Sequence, residues 1–397
     1  MATWLEEYAG FWKFPPFAQQ DYPWREQNPE LVAFLDNLGD DEVAQLGQRD
    51  RQERMQILAP LVGIAGDAGG LLRGPMGRAD SAAPNKSGTG QALKQSHFVG
   101  VPGRKAAQIE AFCSQVPFLG LPYVDWCAGK GHLARALVAS HGGAAECLEK
   151  DKNLCRAGVR LAGEAKGKIT FREVDVLRDL PEGVLSGAQH GVALHACGDL
   201  HRSLIENGIA GNLRALTLAP CCYHRTAQLY AYTPFSEAGR RCRLPLDRSD
   251  LRMVAQETVV AGRGVRNKRR QEVTFRLGFD ALQRSLSGRD AYLNVPNLPK
   301  TILRRGFEGF CRWAAEKKAF RVPEGVDFEH WEAVGALRFR TIDRLELVRG
   351  LFRRPLEVWL ILDQAAALAE AGYHVKVHEF CDRLVTPRNL IIHAEKN

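Results

Sequence analysis

The feature of this chain that most constrains its fold is a glycine turn between a predicted strand and a predicted helix, within 121–138. An apolar run ends at Asp125, then Gly129 and Gly131 follow, and a helical pattern of apolar residues begins. Glycine at such a turn lets a ligand approach the main chain, and the N-terminus of the next helix favours nucleotide-like ligands. The turn therefore predicts a parallel α/β fold with a ligand site at the end of this strand.

Two more acids follow predicted strands further along the chain. The second strand, 145–149, ends in Glu149, whose carboxylate can accept two ribose hydroxyls. A third apolar segment, 169–174, is followed by Asp175. From about 105 to 225, short apolar runs alternate with helical patterns, which is typical of right-handed βαβ units.

Three strands that each end in an acid resemble class I S-adenosylmethionine-dependent methyltransferases. The segments Leu-His-Ala-Cys-Gly-Asp-Leu-His at 194–201 and Leu-Ala-Pro-Cys-Cys-Tyr-His-Arg at 218–225 resemble the fourth- and fifth-strand motifs of one methyltransferase-domain family. That family includes the eukaryotic glutathione-S-transferase-C-terminal-domain-containing protein and the rRNA adenine dimethylase domain-containing-like proteins. The segments are more distantly similar to those of the CHHC-finger tRNA 2′-O-methyltransferases. The segments 354–357 and 386–390 resemble the same family's closing helix and hairpin.

This resemblance implies a Rossmann-like, doubly wound, seven-stranded sheet with an antiparallel C-terminal hairpin. It implies S-adenosylmethionine as cofactor, with the amino-acid end near the glycine turn, the ribose at Glu149 and the adenine amino group at Asp175. Cys127 replaces the first glycine of the usual D-x-G-x-G-x-G motif, and its side chain would crowd the pyrophosphate of a dehydrogenase cofactor. The residues expected to bind the cofactor are Asp125, Cys127, Gly129, Gly131, Glu149, Asp175, His195 and Cys197.

Candidates for the chemical step follow the fourth and fifth predicted strands: Asp199, Cys221, Cys222 and His224. The sulfonium of the cofactor makes its methyl group an electrophile, so the protein mainly aligns the acceptor and manages one proton. His224 either acts as a base or hydrogen-bonds the main chain. Asp199 either takes a proton or caps the helix that begins at Leu200.

The cysteines of this region have three interpretations. A thiolate could add to a cytosine ring, but Cys197 lacks the preceding proline of that mechanism's motif. Cys127, Cys197, Cys221, Cys222 and His224 could bind a metal, but adjacent cysteines seldom bind one ion. We favour polarizable packing around the cofactor's thioether, and we predict no metal.

The sequence divides into four parts. A helical N-terminal extension covers 1–62, where Asn28 precedes a helix that starts at Pro29. A flexible glycine-rich connection follows at 63–104. The methyltransferase domain covers 105–225 and 350–397, and a basic insertion at 226–349 interrupts it.

The insertion carries the excess positive charge of the chain. Between 262 and 354 there are 21 Lys and Arg against 11 Asp and Glu, whereas the net charge of the whole chain is +8. We expect RNA binding here, through Arg266, Lys268, Arg269 and Arg270 and with interleaved aromatics such as Phe307, Phe310, Trp313 and Phe320. The alternative is a solvated helix, because Phe307, Phe310, Cys311 and Ala314 recur at helical spacing.

These patterns predict an enzyme that transfers a methyl group to RNA, either tRNA or rRNA. The alternatives are a methyltransferase acting on an acidic or ribosomal protein, and a cofactor-binding adaptor without turnover. We expect no membrane association and a cytoplasmic location, because the N-terminus lacks a signal-peptide pattern and no apolar run could span a bilayer. Ten cysteines in a chain this long do not indicate a disulfide framework, and in a reducing compartment they are expected to be free thiols, ligands or catalytic groups. The oligomeric state is not predicted.

Overall fold

The computed structural model describes residues 1–64, 93, 98, 100–163, 168–178, 180–228, 232–256 and 263–397. Most of the predicted glycine-rich connection lies outside the described residues. The described strands form one seven-stranded sheet in the order β3-β2-β1-β4-β5-β7-β6. The strands are β1 (Tyr123–Trp126), β2 (Ala145–Glu149), β3 (Ile169–Glu173), β4 (His190–Cys197), β5 (Ala215–Cys221), β6 (His374–Glu379) and β7 (Leu390–Glu395).

The sheet has the mixed topology that the sequence predicts. Strands β1 to β5 run parallel, and β7 lies antiparallel between β5 and β6. The predicted Rossmann-like fold with an antiparallel C-terminal hairpin is confirmed. Strand order reverses between β1 and β4, so the carboxyl ends of these two strands border the crevice where ligands bind in such sheets.

The chain divides into two compact units, and the sheet belongs to the first, which comprises Met1–Glu6, Gly69–Glu257 and Arg354–Asn397. Apolar clusters cover both faces of the sheet, as parallel strands require. The described helices that lie wholly in this unit are Gly103–Gln115, His132–His141, Lys152–Ala162, Asp199–Ala210, Glu237–Arg241 and Arg248–Ala255, and Arg353–Glu370 belongs to it from its second residue. Among the described residues, no helix combines the length and apolar content needed to cross a bilayer.

Part of the predicted insertion packs on the sheet unit. Asp363 is buried in the helix Arg353–Glu370 and accepts hydrogen bonds from the Tyr232 hydroxyl at 2.9 Å and the Ser236 hydroxyl at 2.6 Å. It also accepts from the amides of Phe235 and Ser236. A Cβ on Gly239 would lie 2.0 Å from Asp363 Oδ1, so only glycine fits there. These contacts anchor the segment after β5 to the helix Arg353–Glu370 of the sheet unit.

The second unit is helical and comprises Glu7–Ala68 and Thr258–Arg353. It combines most of the N-terminal extension with the later part of the insertion, which the sequence analysis treats as separate parts. The long helices Arg263–Ser287 and Phe328–Arg349 cross closely, because a Cβ on Gly335 would lie 2.4 Å from the Thr274 carbonyl oxygen. The other described helices of this unit are Ala9–Trp12, Pro29–Asn37, Asp40–Gln48, Arg51–Val62, Lys300–Leu303 and Gly306–Lys317, while Ala2–Glu7 begins in the first unit.

The predicted use of aromatic side chains in the insertion for base stacking is wrong for Phe307 and Phe310. Phe307 is 3% exposed and Phe310 is fully buried, and both belong to the apolar core of the second unit. Cys311 and Ala314 are buried beside them. Their helical spacing therefore reflects a core-facing side, which is the alternative that the periodicity also allowed.

Candidate functional site

A cleft of about 500 Å³ opens in the first unit at the carboxyl ends of the parallel strands. Five of the predicted site residues line it: Cys127, Glu149, Asp175, Cys197 and Asp199. The remaining lining residues are apolar, basic or small: Leu148, Val174, Val176, Leu177, Leu200, Lys150, Arg225, Arg248, Thr226 and Ala227. The cleft has the size and mixed lining of a small-molecule site.

The glycine turn lies at the edge of this cleft and is fastened by Glu149. Cys127, Gly129 and Gly131 all have positive φ, at 58°, 59° and 66°. One Glu149 carboxylate oxygen accepts from the Gly129 amide at 2.9 Å, and the other accepts from the Asp151 amide at 2.9 Å. A carboxylate has about four acceptor positions, so both oxygens keep capacity for two ligand hydroxyls.

Asp125 lies beneath the turn and is not part of the cleft wall. It is 2% exposed, and its Oδ2 accepts a hydrogen bond from the Ala134 amide at 3.1 Å. Burial raises the pKa of this carboxyl to about 7. Its direct contact therefore joins β1 to the helix His132–His141, and it acts on the glycine turn through the main chain.

Asp175 follows β3 and borders the apolar side of the cleft. Its Oδ1 accepts from the Leu177 amide at 3.1 Å, which fixes the local turn. Val174, Val176 and Leu177 line the cleft next to it. An apolar slot with a carboxylate at its edge suits a planar base that carries an amino group.

His195 holds a distorted part of β4 against the helix Gly103–Gln115. The residue has φ 66°, and the pairing of β4 with β5 shifts register between Leu194 and Cys197. His195 Nε2 lies 2.6 Å from Gln108 Oε1, and Gln108 Nε2 donates to the Val385 carbonyl at 3.1 Å. Burial lowers the pKa of His195 to about 4. This structure gives His195 a positioning role, and Gln108 is a residue that the sequence analysis missed.

Asp199 fastens the loop after β5. The helix begins at Asp199 itself, with Gly198 at the capping position, so of the two alternatives for Asp199 the cap of a helix starting at Leu200 is wrong. Asp199 Oδ2 instead accepts from the Ala227 amide at 2.7 Å, and the Asp199 amide donates to the Arg225 carbonyl. A Cβ on Gly198 would lie 1.8 Å from that carbonyl oxygen. The close approach of β4 and the loop therefore requires glycine.

Two exposed arginines that the sequence analysis did not assign line the cleft. Arg248 Nε donates to the His224 carbonyl at 3.0 Å, and Arg225 follows His224 directly. His224 itself is half-buried, and burial lowers its pKa. Arg248 lies 23 positions after Arg225 in the predicted insertion, and only the folding of this segment onto the first unit brings it to the cleft.

Three cysteines come together at the ends of β4 and β5. Cys197 and Cys221 are register partners on adjacent strands, and their Sγ atoms are 3.5 Å apart. The Sγ atoms of Cys197, Cys221 and Cys222 all lie within 4.8 Å of one another. The pKa of Cys222 is lowered because the two neighbouring thiols donate to it. Cys221 and Cys222 are adjacent in the sequence, which argues against a shared ion, yet the structure brings all three sulfur atoms together.

The four predicted substrate-binding residues lie in the second unit, near the start of the helix Arg263–Ser287. Arg266, Lys268, Arg269 and Arg270 are all exposed. Arg270 pairs with Asp40 at 3.0 Å, and its guanidinium lies 5.2 Å from the centre of the Phe339 ring. Arg270 therefore has a structural contact within its own unit, which the sequence did not indicate.

Residues 104–228 match a family described as a methyltransferase domain. Among solved structures, the chain is similar to a geranyl diphosphate methyltransferase (20% identity, TM-score 0.27, 36% of this chain and 60% of that one). It is also similar to a putative RNA methyltransferase from Pyrococcus horikoshii (19% identity, TM-score 0.24, 34% of this chain and 67% of that one). A third similar structure is a putative sarcosine dimethylglycine methyltransferase from Galdieria sulphuraria (14% identity, TM-score 0.27, 58% of this chain and 88% of that one). No curated protein matches the chain.

The first of these structures is matched over less than two thirds of its length. Residues 104–228, which match the methyltransferase domain, contain the five parallel strands of the seven-stranded sheet. The cofactor that the sequence resemblance implies is S-adenosylmethionine. The residues at the cleft fit that cofactor, because a carboxylate with spare acceptor positions, a glycine turn and an apolar slot line or border one space.

Proposed function

We propose that this chain transfers a methyl group from S-adenosylmethionine to RNA. The observation that carries the cofactor part is one cleft lined by Glu149, which accepts from two main-chain amides, and by Asp175 with its apolar neighbours Val174, Val176 and Leu177. The motifs at 194–201 and 218–225 support a place in the family that includes the glutathione-S-transferase-C-terminal-domain-containing protein.

In this proposal the two half-buried acids of the cleft, Glu149 and Asp175, bind different parts of the cofactor. Glu149 accepts the ribose hydroxyls, and Asp175 accepts from the adenine amino group. The main chain at Gly129 and Gly131 approaches the amino-acid end of the cofactor. Asp125, through the Ala134 amide, and His195, through Gln108, hold β1 and β4 in position. The bound cofactor supplies an electrophilic methyl group, so transfer needs no protein nucleophile.

The acceptor side of the cleft is formed by residues at the ends of β4 and β5 in this proposal. Cys197, which ends β4, and Asp199 line the cleft. Cys221 ends the neighbouring strand β5, and Cys222 and His224 follow it. We assign His224 as the group that takes the acceptor's proton and Asp199 as the group that holds the loop in place. Cys221 and Cys222 shape the acceptor side in this scheme.

The assignment of RNA as substrate rests on charge. Lys268 and Arg269 are exposed near the start of a long helix, and Arg225 and Arg248 are exposed at the cleft. Such groups neutralise phosphates and release condensed counterions. Ten free thiols are consistent with a reducing cytoplasm, where tRNA and rRNA are found.

Two measurements test the proposal in order. Calorimetry with purified protein is expected to show micromolar-range binding of S-adenosylmethionine or its demethylated product, with no competition by NAD. Mass spectrometry of nucleosides from cells with and without the chain is then expected to show one modified nucleoside lost. Loss of a methylated peptide with unchanged nucleosides would favour a protein substrate, and no cofactor binding would overturn the proposal.

A further inference from the structure

The three-cysteine cluster at the ends of β4 and β5 is more than the meeting of two adjacent strands. Cys197 and Cys221 face each other through strand pairing. Cys222 follows β5 directly, and in an extended chain its side chain would point to the opposite face from Cys221. Its Sγ nevertheless lies within 4.8 Å of both other sulfur atoms.

Unusual backbone conformations produce this convergence. Cys222 has φ 50°, a left-handed conformation that non-glycine residues rarely adopt. His195, two residues before Cys197, has φ 66°, and β4 shifts register against β5 between Leu194 and Cys197. Strained conformations persist where the surrounding structure requires them, and they are common at functional sites.

The sulfur geometry matches that of a thiolate-bound metal. Zinc–sulfur bonds of roughly 2.3 Å in a tetrahedral site place two sulfur atoms about 3.8 Å apart. The distance between the Cys197 and Cys221 sulfur atoms is 3.5 Å, and Cys222 lies close enough to complete a triangle. Soft thiolates select zinc over the hard cations Mg²⁺ and Ca²⁺.

We propose that Cys197, Cys221 and Cys222 bind one zinc ion as thiolates. Cys197 lines the cleft, so the fourth coordination position faces the cleft and takes water or an oxygen or sulfur atom of the methyl acceptor. Three protein ligands with an open position are typical of zinc sites that take part in chemistry. This inference does not depend on RNA being the substrate.

Elemental analysis of the purified full chain and cobalt titration test the site directly. We expect about one zinc per chain, and after removal of zinc, Co²⁺ should produce near-ultraviolet sulfur-to-cobalt charge transfer. Zinc should displace Co²⁺ and abolish this band. Because neither measurement involves methyl transfer, its result is independent of the proposed enzymatic activity.

Single substitutions connect the signal to the cluster. Cys197→Ser, Cys221→Ser and Cys222→Ser should each lose zinc and most of the charge-transfer intensity. Cys242→Ser also removes one thiol from the first unit, but this thiol bonds the Ala238 carbonyl outside the cluster, so zinc content should stay unchanged. His224→Ala should also retain the band, because the ligand atoms that lie together are the sulfur atoms of Cys197, Cys221 and Cys222 and do not include a His224 nitrogen.

Three results would overturn the proposal. A zinc-free protein that gives no charge-transfer band with Co²⁺ would mean that the thiols are only packed together. A disulfide between Cys197 and Cys221 in protein purified under reducing conditions would assign the pair to redox chemistry. Metal content that is the same in the three cluster variants and the wild type would place the ion elsewhere.

Discussion

At the scale of single residues, Glu149 has two roles. It accepts a hydrogen bond from the Gly129 amide of the glycine turn, and it lines the cleft. Glu149→Ala removes the ribose acceptor and the partner of the Gly129 amide. We expect cofactor affinity to fall by roughly 1.5–3 kcal/mol, the usual value of charge-assisted hydrogen bonds. Isothermal calorimetry measures this loss.

Glu146→Ala is the matched control for that experiment. Glu146 lies on the same strand but pairs with Arg172 at 2.7 Å and is not among the residues that line the cleft. Its removal should leave cofactor affinity unchanged. Equal losses in the two variants would show that β2 is disturbed as a whole and that the ribose assignment is unsupported.

Asp125 should make the stability of the first unit depend on pH. Its folded-state pKa is raised from 3.8 to about 7 by burial. Between those values the folded state keeps a proton that the unfolded state has released, so the contribution of this group to stability decreases as the pH rises. Asp125→Asn keeps an acceptor for the Ala134 amide without the charge.

Urea unfolding of wild type and Asp125→Asn from pH 4 to pH 8 tests this effect. The difference in unfolding free energy should shift in favour of the variant through this window and level off above pH 7. Buried histidines with lowered pKa values, such as His190 and His201, are common to both proteins, so their opposite pH dependence cancels in the difference. A constant difference would mean that Asp125 titrates normally.

At the scale of elements, a chain of polar side chains connects three strands inside the sheet. His190 on β4 and His393 on β7 lie 2.8 Å and 2.9 Å from the Thr217 hydroxyl on β5. Thr217 and His190 are fully buried. Thr217→Val keeps the shape but leaves two imidazole nitrogens without this partner, at a cost of about 1–3 kcal/mol.

Denaturant unfolding of Thr217→Val measures that cost. Thr170→Val on β3 is the control, because Thr170 is exposed and the same change removes a hydroxyl that faces solvent. Equal stability of the two variants would show that the hydroxyl of Thr217 contributes nothing beyond its volume.

At the scale of the whole molecule, the charge of the second unit should control RNA affinity. Lys268→Glu with Arg269→Glu should weaken RNA binding and, if each residue contacts one phosphate of a single strand, reduce the salt slope by about 1.4. Arg270 stays unchanged because its pairing with Asp40 supports the unit. Filter binding across salt concentrations measures the slope.

The control for this experiment is the double variant Arg160→Glu with Lys168→Glu, which changes the net charge of the chain by the same amount as Lys268→Glu with Arg269→Glu. Arg160 and Lys168 are both exposed on the first unit, and Lys168 directly precedes β3, at the amino end of the sheet. RNA affinity should be nearly unaffected there, and cofactor affinity should be unchanged in both double variants. An equal fall in the two proteins would indicate non-specific attraction.

The sequence by itself determined the sheet and the acids at its carboxyl edge. Local signals suffice for these features, because the glycine turn and the periodicity of apolar residues act within a few neighbouring positions. Glu149 and Asp175 could be placed at one cleft because parallel strands present their carboxyl ends at the same edge.

Only the tertiary structure decided which side chains line that cleft and which instead hold its strands in position through buried contacts. Asp125 accepts from the Ala134 amide, and His195 contacts the Gln108 side chain. Arg248 reaches the cleft because Asp363 anchors the segment that precedes it. The cysteine triangle depends on backbone conformations at His195 and Cys222 that strand alternation does not predict. Such contacts join positions far apart in the chain. Their energies depend on tertiary packing, which cannot be predicted from the pattern of neighbouring residues.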